Sequence, residues 1–192
     1  AGTYTVAIRG VFPRIYFFNS LDKDKIQTIE QWGNIVWTSM FRAFMGCSNL
    51  TITNPTIDVP NLSNVTDIAQ MFRDASSFNG AINNWDVSTI TNMGSMFADA
   101  SVFNQPLNNW DVSNVENLSW MFVDATTFNQ PLNGWTVDNV TNMQGVFSGA
   151  SVFNQPLNNW NVSSVETMRF MFSRSSFNQP LDSWDVSNVM LM

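Results

Sequence analysis

Hydrophobic and polar positions repeat along most of the chain on a fixed clock. Trp falls at 85, 110, 135, 160 and 184, and Phe at 72, 97, 122, 147 and 172. A second Phe falls at 78, 103, 128, 153 and 177, each followed by Asn. The steps are 25 residues, except for one final step of 24 in the Trp and second Phe series. That short step has a visible cause: MFSRSSFN at 171–178 lacks one residue present in MFADASVFN at 96–104. A fixed period of this size marks an array of stacked units, each too small to bury its own apolar face alone.

One unit, residues 107–131, predicts its own elements. Trp110-Asp111-Val112 alternates apolar, polar, apolar, the pattern of a short half-buried strand. Ser113 precedes Glu116 by three, the spacing of a helix-starting capping box, and Ser163 and Glu166 repeat it. Val115, Leu118, Phe122 and Ala125, with Met121 beside them, follow at helical spacing and predict about three turns. Thr127 to Pro131 returns the chain. The expected fold class is α/β: a repeat solenoid of right-handed coils, each a short parallel strand plus a short helix in about 25 residues. Strands of adjacent coils would lie about 4.8 Å apart.

The rest of the chain is organised around this array. Residues 1–25 read as an N-terminal strand segment, and 26–70 as a helical cap with an irregular first repeat. Within that cap Lys25 to Met45 can form helix, and the step from Phe41 to Phe72 is 31 residues. Residues 71–192 form the array of about five coils. Val189 to Met192 match Val165 to Met168, and no Met-Phe pair follows. Together with the Ala1 start, this reads as an excised segment with further coils expected after it. An open edge near Trp184, Asp185 and Val186, under Met190, Leu191 and Met192, is expected to favour end-to-end association.

Composition narrows the chemistry. Hydrophobic residues make up 44% of the 192, enough for a packed core, but charged residues only 12%. Polar character comes from 25 Asn. The absence of His excludes a His general base, a Ser-His-Asp triad and His-ligated metal. Cys47 is alone, so it forms no intrachain disulfide or thiolate cluster, and it reads as a buried structural thiol. Residues 1–74 carry zero net charge, whereas 75–192 carry Arg169 and Arg174 against nine acids, giving the net −7. That field disfavours nucleic acid and anionic membrane as partners, and no apolar run is long enough to span a bilayer.

The phased pattern L-x-x-W-x-V-x-x-V-x-x-M is similar to a leucine-rich repeat. More specifically, WDVSNVENLSWMFVDATTFNQPLNGW resembles the BspA-like leucine-rich repeat surface proteins, with QWGNIVWTSMFRAFMGCSNLT at 31–51 similar to their entry repeat. The resemblance covers about residues 26–192. It implies an exported or cell-surface protein active in adhesion and protein binding. Ala1 to Val6 also resembles the last strand of a PKD-like β-sandwich.

Candidate functional residues follow from the repeat. Two columns flank the predicted strand core: Asp86, Asp111, Thr136, Asn161 and Asp185, and beside them Ser88, Ser113, Asp138, Ser163 and Ser187. They read as a solvated face with helix caps or as a binding surface. Repulsion between Asp86 and Asp111 invites a cation, but no calcium-loop motif accompanies them, and no metal or cofactor is expected. Asn79, Asn104, Asn129, Asn154 and Asn178 read as a structural ladder that satisfies buried backbone groups. Trp85, Trp110, Trp135, Trp160 and Trp184 read as core. Six N-x-S/T sequons, at Asn49, Asn61, Asn64, Asn117, Asn139 and Asn161, are by-products of the repeat. With no unique acid pair, nucleophile elbow or phosphate loop, no catalytic residue is assigned. The expected function is a non-enzymatic surface or secreted module binding protein or glycan on a host, neighbouring cell or matrix. The alternative is a structural spacer or subunit of an extracellular fibre or surface layer, self-associating through its ends or sides.

Overall fold

A computed structural model describes residues 2–18, 20–52 and 58–192. Ala1, part of the expected first strand, and residues 53–57, inside the expected first repeat, lie outside the described residues. Residues 68–75 show how a coil is built. The amides of Ile68, Gln70, Phe72 and Asp74 donate to the carbonyls of Asn92, Gly94, Met96 and Ala98 on the next coil, at 2.8–3.0 Å. The intervening amides of Met71, Arg73 and Ala75 donate back three residues, to Ile68, Gln70 and Phe72. Gln70 and Asp74 sit in the left-handed region, at φ 59° and 60°. The segment is thus a run of tight turns whose amides alternate between bonds within the coil and bonds to its successor. The same set recurs at 93–100, 118–125 and 143–150.

This overturns the α/β expectation. Among the described residues the helical content is one 3₁₀ turn, Lys23–Lys25. Parallel pairing is confined to isolated bridges, the longest chain of them running Asp67, Asn92, Asn117, Asn142, Thr167, Leu191. The predicted helix after Ser113 is the turn ladder. Its inward residues fall at Val115, Leu118, Phe122 and Ala125 because a left-handed residue at Trp120 and another at Asp124 reset the turn direction. That produces the 3-then-4 spacing of a helical stripe without any i→i+4 bonding. The predicted strand at Trp110–Val112 carries no bridge, and its ends are tied by turn bonds, Trp110 N–H to Leu107 O and Val115 N–H to Val112 O. Inter-coil pairing falls instead inside the supposed helix, at Asn117. The capping box has no helix to cap: the Ser113 amide donates to Asp111, and the Glu116 amide to Thr91 O. The helix expected from Lys25 to Met45 is likewise turns and bridges, with pairing at Thr28, Val36 and Ser39.

The core is three columns of rings. Phe72, Phe97, Phe122, Phe147 and Phe172 stack with centroids 5.6–5.9 Å apart. Phe78 through Phe177 form a second column at 5.9–6.2 Å. The two columns touch face to face within each coil, at 3.9–4.0 Å. Trp110, Trp135, Trp160 and Trp184 make the third, at 6.4–6.5 Å. The residue missing from the last coil leaves Phe177 in its column. Buried indole N–H groups need acceptors, and each finds the carbonyl of a residue one coil back: Trp110 to Ile82, Trp135 to Leu107, Trp160 to Leu132 and Trp184 to Leu157, at 2.9–3.0 Å.

The first coil departs from this register. Phe44, not Phe41, stacks on Phe72, at 5.7 Å, and Arg42, Phe44 and Gly46 donate to Ala69, Met71 and Arg73. The irregular step is therefore 28 residues, three more than the repeat, rather than 31. Before it, Phe17 stacks on Phe44 at 6.2 Å. Residues 2–10 are exposed and carry no strand.

Candidate binding surface

Of the two columns predicted as a strand face, the first is exposed throughout, the second is half-buried at Ser88, Ser113 and Ser163, and both form turns rather than a strand. Asp86 Oδ1 accepts the Ser88 hydroxyl at 2.6 Å and the Ser88 amide at 3.1 Å. Asp111, Asn161 and Asp185 accept the amides of Ser113, Ser163 and Ser187 at 3.0–3.3 Å. These are Asx turns, in which a short carboxylate or amide replaces a backbone partner. Thr136 and Asp138 complete the columns as exposed residues. The bonds from Ser88, hydroxyl first and amide second, hold the Asp86 carboxyl below its ordinary range, while the nearby Asp111 charge is the weakest influence on it. Ser113 lowers Asp111 in the same way, and at Asp185 the Ser187 amide leads. Among the described residues no group of three His, Cys, Asp or Glu is placed to hold a metal ion.

Asn builds the corners between coils. The Oδ1 atoms of Asn79, Asn104, Asn129 and Asn154 accept the amides of Asn104, Asn129, Asn154 and Asn178 at 2.8–3.0 Å. The Nε2 groups of Gln105, Gln130, Gln155 and Gln179 reach the same oxygens. A further ladder escapes the sequence reading: Asn114, Asn139 and Asn188 donate side-chain Nδ2 to Ser88, Ser113 and Ser163 carbonyls, each at 2.7 Å. Cys47 is buried, and burial pushes its thiol up to about 12, so it carries no thiolate at neutral pH.

The turn ladder exposes a second face. Its left-handed positions run Arg42, Gln70, Ser95, Trp120, Gly145, Phe170 in one column and Gly46, Asp74, Asp99, Asp124, Gly149, Arg174 in the other. Asp74, Asp99 and Asp124 suit such positions, since a short polar side chain tolerates them. Burial pushes the Asp99 carboxyl above its ordinary range, and the charges of Asp74 and Asp124 add to that, against a pull from Arg73. The fourth full coil places glycine in both columns, and its neighbours fold over the gap. The Trp120 indole lies on Gly145, where an added Cβ would fall 2.1 Å from Cε3. The Phe170 ring lies 6.3 Å from Trp120, with the Arg169 guanidinium 4.6 Å from its ring centre. Asp124 and Arg174 meet across Gly149 at 3.4 Å. These residues fall within the segments expected as helices, so the sequence reading passes over them. Aligning the coils two positions before the first-column Phe (72, 97, 122, 147 and 172), where Gln, Ser, Trp, Gly and Phe succeed one another, isolates them.

Neither a curated protein nor a solved structure matches the chain. One family model matches residues 38–145 and again 118–192, and its description is "Mycoplasma protein of unknown function, DUF285". The two spans overlap and together run from residue 38 to the last residue, so the chain belongs to the DUF285 family.

Proposed function

We propose that the chain is a non-enzymatic recognition module displayed on the cell surface or secreted, acting in adhesion by binding protein or glycan. The observation that carries this reading is the contrast between fixed and variable positions on one frame. Inward rings, ladder amides and corner Asn repeat from coil to coil, whereas the outward positions of the turn ladder change: Gln70, Ser95, Trp120, Gly145, Phe170. A rigid frame that varies its outward side chains supplies a preorganised contact surface at low entropic cost. The resemblance to BspA-like surface proteins supports the same reading.

Beads coated with the chain test it, in a flow assay over cultured cells, extracellular matrix and immobilised glycans. Saturable retention, competed by soluble chain, is the expected result. Absence of retention on every surface, combined with concentration-dependent growth of mass in light scattering, would replace this reading with that of a structural spacer.

A further inference from the structure

The double-glycine coil gathers what the rest of the array keeps apart. Within residues 75–192, Arg169 and Arg174 are the only two cations. The other aromatic residues in that segment lie in the ring columns or, as Trp85, are buried at their N-terminal end, whereas Trp120 and Phe170 stand outside the columns in left-handed backbone at φ 58° and 63°. Bulky side chains rarely occupy that region. Phe170 is 47% exposed. Arg174 is paired with Asp124. Arg169 stacks on Phe170 and, among the described residues, has no carboxylate within 4.0 Å.

We infer that the surface formed by Trp120, Phe170, Arg169, Arg174 and Asp124 over Gly145 and Gly149 binds a carboxylated sugar. This inference rests on the proposed binding function and specifies its ligand. The half-buried indole lies on the glycine, and the part of it left exposed meets the C–H face of a pyranose. Arg169 supplies a planar, unpaired fork suited to a carboxylate. Asp124 and Arg174 supply an acceptor and donors for hydroxyls. The surrounding charge of −7 opposes dense polyanions, whereas at physiological salt the screening length is about 8 Å, so one carboxylate per ring responds mainly to the adjacent guanidinium.

Calorimetry with three probes tests this: trigalacturonate, galactotriose, which lacks the carboxylates, and triglutamate, which lacks the rings. Trigalacturonate is expected to bind at least tenfold tighter than either of the others. Arg169→Gln and Trp120→Leu, each with an unchanged melting temperature, are expected to weaken it at least tenfold. Equal affinity for galactotriose would overturn the carboxylate, and equal affinity for triglutamate would overturn the sugar. Unchanged binding by Arg169→Gln would overturn the site. If coated beads are retained on cells or matrix while trigalacturonate does not bind, the inference falls and the recognition reading stands. If neither occurs, both fall.

Discussion

The regular coils and the N-terminal segment use the same residue types to opposite effect. From Phe72 to Trp184 the column rings lie within 1–12° of parallel, and every column indole from Trp110 onward donates to a carbonyl one coil back. At the other end, Phe12, Trp32, Trp37, Phe44 and Trp85 meet edge to face, at 76–90°, and the buried Trp37 Nε1 has no partner among the described residues. The cause is register. A 25-residue step returns each donor to the same acceptor, and each ring to the same offset stack. The 28-residue first step breaks that coincidence, so large rings fill space edge-on and one donor is stranded. Repetition, more than ring content, satisfies the indole N–H groups of this core.

The largest test of that contrast removes one regular rung. Trp110→Ala deletes a stacked ring and its carbonyl bond and should cost about 3–5 kcal/mol. Because coupling runs between neighbouring coils, hydrogen exchange should rise over residues 85–135 more than over 12–50. Equal loosening at both ends would mean that the two regions fold as one undivided unit.

Glycines sharpen it next. Gly149→Ala places a methyl group 2.0 Å from Asp124 Oδ1 in left-handed backbone and should cost about 2–3 kcal/mol. Gly33→Ala meets the same left-handed strain with open space around it and should cost about 1 kcal/mol. Gly134→Ala, with neither strain nor clash, should be close to neutral. Denaturant midpoints of the three variants give the order.

Removing a corner is smaller. Asn129→Ala strands the Asn154 amide and the Gln155 side chain, with an expected loss of about 1–2 kcal/mol. Asn34→Ala, an exposed position in the irregular segment, should stay within about 0.5 kcal/mol.

The smallest effect separates two kinds of acid within the regular coils. Asp86 is held low, so its contribution is present above the ordinary carboxylate range and lost as pH falls through the lowered value. Asp99 is held high, so its charged form opposes folding, and stability is lost as pH rises through the raised value. Asp99→Asn should therefore raise the melting temperature at pH 7 by about 1–3 °C, and the gain should vanish near pH 3. Asp86→Ala should lower it at pH 7, with the deficit shrinking in acid.

Period, ring columns and Asn phasing are legible in the sequence because each is a matter of which residue recurs where. Element type was not. Val115, Leu118, Phe122 and Ala125 carry helical spacing, yet the left-handed residues between them, Trp120 and Asp124, are not glycines and give no punctuation. Glycines at Gly145 and Gly149 of the fourth coil, and at Gly46 of the first, hint that the backbone in those columns leaves the helical region. The face around Trp120 and Phe170 was hidden for the same reason: on a helix these positions would be ordinary exposed residues.

Backbone NMR of residues 113–125 tests the turn-built coil most directly. Positive φ is expected at Trp120 and Asp124 from Cα and Cβ shifts and scalar couplings. Slow exchange is expected for the ladder amides of Leu118, Trp120, Phe122 and Asp124, with no i→i+4 contacts. Continuous helical shifts from Val115 to Ala125 with sequential i→i+4 bonding would contradict it.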